Sequence, residues 1–172
     1  MDAQTKRRET ILEIITNSET PISATKIAGI VGVSRQVVVG DVALLRANRH
    51  QIVATARGYV MENTGQMLNL YRRKIACKHT PEETKDELYL LVDLGARIED
   101  VIVEHHVYGE LSGSLGISTR KEADNFIESL RRTDVKLLSE LTGGVHLHTV
   151  TFESKAHYEA VIKAMEKAGF LV

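Results

Sequence analysis

A short polar stretch, Asn63-Thr64-Gly65-Gln66, divides this chain into two regions whose apolar residues recur at different spacings. The chain is therefore expected to fold as two domains, residues 1–63 and 67–172. Its 172 residues supply enough material for a hydrophobic core in each.

Before the break the pattern is helical. Ile11, Leu12, Ile14 and Ile15 form an apolar stripe in a helix that begins near Ala3. Pro21 and Ser23 interrupt it, and residues 24–31 read as a short second helix. Gly32 supplies a tight turn, and Ser34 is a natural N-cap for a third helix reaching about Asn48. The inward stripe of that helix is expected to be Val37, Val38, Val42, Leu44 and Leu45. Residues 52–55 and 59–61 are extended runs joined by Ala56-Arg57-Gly58, a small β-hairpin. A helix, a helix-turn-helix and a hairpin make a winged helix-turn-helix, whose third helix enters the major groove. Ser34, Arg35 and Gln36 at its start lie within reach of base edges and phosphates. Arg and Gln pair bidentately with guanine and adenine, respectively. The wing carries Arg57 and Tyr59 toward the flanking backbone or minor groove. A helical domain that merely packs on something else, with Arg35 as a solvated charge, is the weaker reading, because several local signals agree on one architecture.

Charge agrees with this assignment. Residues 1–63 carry eight Lys and Arg against six Asp and Glu, a net of +2; residues 64–172 carry fourteen against seventeen, a net of −3. A mildly basic head on an acidic body suits double-stranded operator DNA as the partner of the head, although the excess is small. No apolar stretch approaches membrane-spanning length and no signal peptide precedes the first charges, so no membrane partner and a cytoplasmic location are expected. The single cysteine, Cys77, has no intramolecular disulfide partner, in keeping with a reducing compartment.

After the break, strands and helices alternate. Ile75-Ala76-Cys77 lies in a strand ending near His79. Thr80-Pro81-Glu82-Glu83 opens a helix, with Thr80 as N-cap, Pro81 at the first helical position and Glu83 completing a capping box. Leu88, Leu91, Val92 and Gly95 give that helix its buried stripe. Residues 101–107 form a second strand and residues 110–117 a third, turned back through Gly109. A capped helix over residues 119–132, a short helical piece to Leu141, a strand over 145–152 and a helix over 154–168 follow. The order β-α-β-β-α-β with a terminal helix implies an antiparallel sheet covered by helices, an α/β sandwich, and makes the whole chain α+β.

In the last strand, His146 and His148 are two residues apart and point from one face. That places two nitrogen ligands side by side on a rigid element. Taken alone, such a pair is more often the polar face of a half-exposed strand. His79 ends the first strand, and Glu87 sits four residues beyond Glu83, which the cap engages. If the last strand neighbours the first, His79, Glu87, His146 and His148 converge. Three imidazoles and one carboxylate suit zinc, nickel or iron, one ion per chain, with open positions if the ion is five- or six-coordinate. Cys77 shares the neighbourhood and is expected as a buried small hydrophobe in preference to a thiolate ligand.

The segment Val33-Ser34-Arg35-Gln36-Val37-Val38-Val39-Gly40-Asp41-Val42, with Ala54-Thr55-Ala56-Arg57-Gly58-Tyr59, resembles the biotin-repressor type of winged helix. Together with Lys78-His79-Thr80-Pro81, His105-His106 and Gly143-Gly144-Val145-His146-Leu147-His148, it resembles the niacin-responsive transcriptional repressors of NAD biosynthesis, which join such a winged helix to a three-histidine domain. The resemblance covers nearly the whole chain. It implies metal ligation by His79, Glu87, His146 and His148, a sheet of the histidine-phosphocarrier type, a homodimer, and nicotinic acid as co-repressor. Phe126, Leu130 and Phe170-Leu171-Val172 are apolar candidates for the dimer surface or the core. His105 and Tyr108 are candidates for the wall of the effector pocket; for the adjacent His105-His106 pair, one core and one solvated histidine is an equally weighted reading.

The expected function is a non-enzymatic, DNA-binding repressor of NAD-biosynthesis or niacin-uptake genes that senses nicotinic acid through a metal-containing domain. Two alternatives compete with it. One is a metal-responsive regulator without an organic effector. The other is a metal-dependent hydrolase fused to a DNA-binding domain, with Glu87 or Glu83 as base.

Overall fold

In the computed structural model, which describes residues 2–62 and 70–172, the chain divides into two compact units, Met1–Gln66 and Met67–Val172. The expected boundary at residues 63–66 lies outside the described residues.

The first unit contains α1 (Ala3–Thr16), α2 (Ala24–Val31), α3 (Arg35–Ala47), β1 (Ile52–Thr55) and β2 (Gly58–Met61). Each helix begins on a side-chain cap: Asp2 accepts from Thr5 N, Ser23 from Lys26 N and Ser34 from Val37 N. Gly32 closes α2 in the left-handed conformation, at φ 70°. Ile11, Ile15, Ile27, Val38, Val42, Leu45 and Ile52 form the core. Val37 and Leu44, expected inside, are 38% and 51% exposed instead. With 3.6 residues per turn, Val38, Val42 and Leu45 share the core face with Asp41, and Val37 and Leu44 fall on its flank. Asp41 is tolerated there because Arg7 Nε on α1 donates to its Oδ2 at 2.6 Å. Gly58 pins the wing: Ile22 and Tyr59 exchange backbone hydrogen bonds at 2.9 Å, and a Cβ on Gly58 would stand 2.3 Å from Ile22 O.

The second unit runs β3 (Tyr71–Lys78), a 3₁₀ turn (Pro81–Glu83), α4 (Thr84–Asp93), β4 (Arg97–His105), β5 (Gly109–Ile117), α5 (Arg120–Thr133), a 3₁₀ segment (Leu138–Thr142), β6 (Val145–Phe152) and α6 (Lys155–Ala168). The sheet is antiparallel in the order β3-β6-β4-β5. The last strand therefore does neighbour the first, with Cys77 opposite His146 and Ile75 opposite His148. Leu88, Leu91, Ile98, Ile117, Val150, Phe152, Val161 and Met165 form a core between sheet and helices. The chain fold is α+β, as expected.

Two local expectations need correction. The second strand begins at Arg97 and ends at His105, so His106, Val107 and Tyr108 form the turn. Alternation alone does not show that Ile98 belongs to the strand across an irregularity between Ile98 and Ile102. Gly95 is not part of a buried stripe; it is exposed just beyond α4, at φ 81°. Of the C-terminal apolar residues, Phe170 is core and Leu171 bridges to Cys77, while Val172 is exposed. Phe126 packs against the core.

Candidate metal centre and DNA-binding face

The end of β3 delivers His79, the first full turns of α4 deliver Glu87, and the start of β6 delivers His146 and His148. Glu83 is occupied as expected: its Oε2 accepts from Thr80 N at 3.2 Å, which leaves Glu87 to turn inward. All four side chains are buried, Glu87 to 1% exposure. His79 Nε2 lies 2.5 Å from Glu87 Oε2, while His146 Nε2 and His148 Nε2 lie 3.2 and 3.3 Å from Oε1. The four residues that sequence reasoning named are thus brought together.

The opposite ring nitrogens fix the tautomers. His79 Nδ1 donates to Thr80 O at 2.8 Å, His146 Nδ1 to Gly144 O at 2.8 Å and His148 Nδ1 to Asp100 O at 2.6 Å. A carbonyl only accepts, so each Nδ1 carries a proton and each Nε2 of a neutral ring presents a lone pair to the carboxylate. Lone pairs facing a buried anion repel, unless protons or a cation stand between them. Protons are one answer. Burial works against charging His79 and His148, but the Glu87 carboxylate outweighs it and holds both above the ordinary imidazole value of 6.5. Burial likewise pushes Glu87 up, yet the His148 charge and hydrogen bonds from His146 and His79 hold it well below the usual carboxylate range.

A divalent cation is the other answer, and the donor set fits one. Zinc–imidazole bonds are about 2.0–2.1 Å, which puts neighbouring ligand atoms roughly 3.0–3.4 Å apart. The His146 and His148 separations from Glu87 fall in that interval. His148 Nε2 also lacks a hydrogen-bond partner of good geometry among the described residues. Backbone carbonyls accept from every Nδ1 and so fix each ring with Nε2 turned toward the shared point, as metal-binding histidines require. Ligand atoms of Cys77, Glu87 and His146 also lie within 4.8 Å of one another. Burial first, and then the Glu87 charge, push the Cys77 thiol strongly upward, so it keeps its proton and packs as a core residue.

Two features were invisible in the sequence. Gly144, at φ 97°, lies so close to His79 that a Cβ would stand 2.4 Å from His79 O. Asp100 holds β6 beside β4, accepting from His148 Nδ1 through its carbonyl and from Thr149 N through Oδ1. A cavity of about 520 Å³ opens beside His79, with Lys78, Thr80, Pro81, Ser139 and Gly144 among its walls. His105 and Tyr108 do not line it. His105 is the half-buried last residue of β4, accepting at Nδ1 from Val107 N and Tyr108 N of the following turn, and Tyr108 is 74% exposed.

On the first unit, Ser34, Arg35 and Gln36 stand exposed at the start of α3, and Ser34 also serves as the cap. Arg57 sits half-buried at the hairpin tip, its N–H donating to Thr55 Oγ1 at 3.2 Å. Tyr59 packs partly against the first core, which gives it a structural role in seating the wing. No single helix among the described residues is long and apolar enough to cross a membrane.

A family model described as a 3H domain matches residues 72–172, and one described as an HTH domain matches residues 7–60. Transcription repressor NadR of Bacillus subtilis is 41% identical over 167 residues, covering 96% of this chain and 93% of that protein. The probable transcription repressor NiaR of Thermotoga maritima is 40% identical over 167 residues, covering 97% of this chain and 94% of that protein.

Proposed function

This chain belongs to the NadR/NiaR family of transcription repressors, built from an HTH domain and a 3H domain, and from that membership we propose how its two units work together. It is a DNA-binding repressor of NAD-biosynthesis genes and not an enzyme, so the hydrolase alternative is set aside. The second unit holds one divalent transition metal, nickel or zinc, on His79, Glu87, His146 and His148. Nicotinic acid enters the cavity beside His79 and acts as co-repressor. The protein works as a homodimer in the cytoplasm, because two recognition helices at a fixed spacing match the two half-sites of an operator.

The observation that carries the metal reading is the convergence of three Nε2 atoms on one buried carboxylate, with every Nδ1 tied to a carbonyl. When bound, the ion neutralises the carboxylate and offers Lewis acidity to a ligand reaching it. This chain's own residues do the rest. Thr80, Gly144 and Asp100 orient the imidazoles, the buried Cys77 lies beside Glu87 and His146, and Lys78 stands on the cavity wall together with Glu83 and Glu140. A volume of about 520 Å³ is within the usual range of small-ligand sites, about 300–1,000 Å³. For the acid to act as co-repressor it must bind the operator-competent state more tightly than the other state.

Calorimetric titration of nicotinic acid into metal-loaded and chelated protein, with nicotinamide as control, tests the reading. Binding of the acid that requires metal supports it. Tight binding without metal leaves the ion a structural role. Absence of binding in both forms, with operator affinity tracking metal dose, replaces nicotinic acid with the metal as the signal.

A further inference from the structure

Val37 is apolar and β-branched, yet it is 38% exposed in the first turn of α3. Arg35 and Gln36 beside it are exposed as well. At 3.6 residues per turn, Gln36 and Gly40 face away from the buried Val38, Val42 and Leu45, and Val37 is their surface neighbour on the flank of that core face. A Cβ built on Gly40 would meet nothing within 4 Å, so packing inside this chain does not call for the glycine, although glycine weakens a helix interior. The exposed start of the recognition helix therefore combines one amide, one branched hydrocarbon and an open space beside them.

We propose that Val37 is a specificity-determining residue of the DNA-binding helix and packs against the C5 methyl of a thymine in the major groove. A valine side chain has no donor or acceptor, so the group it can read on a base edge is the one apolar group there, the thymine methyl. Gln36, its neighbour, is placed for the N6 and N7 of an adenine. Gly40, one turn on, leaves the groove edge room to approach. The inference rests on the DNA-binding reading given above.

The test uses the full chain, loaded with zinc or nickel and supplied with nicotinic acid, to select a binding site from a randomised duplex pool. Each thymine of the selected site is then replaced singly by deoxyuridine, which removes only the methyl. Wild type is expected to lose two- to fivefold in affinity at one thymine of each half-site, the order expected for one methyl group taken out of water. Val37→Ala is expected to bind the parent site more weakly by a similar factor and to be indifferent to deoxyuridine at that thymine. Val37→Thr, which keeps the shape, should retain the thermal melting midpoint and part of the discrimination. Identical deoxyuridine profiles for wild type and Val37→Ala would overturn the proposal. So would an altered oligomeric state of Val37→Ala with an unchanged profile, which assigns the exposed Val37 and Leu44 flank to a protein contact. Failure of wild type to bind any duplex removes the DNA-binding reading itself, and this inference with it.

Discussion

His79, His146 and His148 stand at the same end of the four-stranded sheet as His105 and His106, since Lys78 pairs with Val145 and His105 with Gly109. In the first group every ring is buried, every Nδ1 is held by a carbonyl, and the three Nε2 atoms face one carboxylate. In the second, two rings stack at 4.9 Å on an outer turn, and His105 Nδ1 accepts from turn amides. Acceptance at Nδ1 leaves that nitrogen unprotonated, the opposite of the first group. Residue type is the same in both. What separates them is whether the backbone supplies carbonyls or N–H groups to Nδ1, and whether a helix brings a carboxylate to the far side.

Glu87 is where the contrast is most easily broken. Glu87→Ala should cost about 3–5 kcal/mol in chemical denaturation of the metal-free protein, as expected when one partner of a buried charged cluster is removed. A loss below 1 kcal/mol would mean that the carboxylate is not what organises the histidines. The glycines of the two turns come next. Gly144→Ala forces a Cβ onto His79 O in the left-handed region and should cost roughly 3 kcal/mol. Gly109→Ala, at φ 73° with open space around its Cβ, should cost about 1 kcal/mol. Equal losses would show that close backbone approach at His79 is unimportant.

Proton linkage separates the groups more gently. His79 and His148 are raised above 6.5, so their contribution is complete below that value and is lost as pH rises through their folded values. Glu87 is depressed, so its contribution is present above 4.5 and is lost as pH falls through its folded value. Metal-free protein should thus be most stable between about 4.5 and 6.5 and weaken as pH rises beyond it. Metal-loaded protein should instead gain stability as pH rises through 6.5 and then hold level, because the ion needs neutral imidazoles that the unfolded chain also presents above that value. Thermal melts across pH, with and without zinc, distinguish the two slopes. Smallest of all, His106→Ala should change stability by less than about 0.5 kcal/mol and leave metal content unchanged, as befits an exposed side chain.

Much of this arrangement was readable in the sequence because its signals are local. Ser34, Thr119 and Ser154 each cap the helix that follows, and Thr80 and Glu83 form the expected link that leaves Glu87 available. The four candidate ligands followed from strand period and helix spacing once β3 and β6 were neighbours. What was hidden depends on distant partners. Asp41 belongs to the core face of α3 only because Arg7, 34 residues away, reaches it, and an apolar run such as Val37-Val38-Val39 does not announce which member turns outward. The second strand ends at His105, opposite Gly109, so His106 lies with Tyr108 in an exposed turn, a boundary that alternation of apolar residues does not mark.

The most direct test of the metal site is elemental analysis with X-ray absorption at the metal edge, on wild type and His148→Ala after exposure to nickel or zinc and extensive dialysis. The four-ligand site requires one ion per wild-type chain, with an imidazole-rich nitrogen and oxygen shell, and loss of most of that ion from His148→Ala. Wild type that retains no ion, or His148→Ala that retains one ion with an unaltered shell, would contradict it.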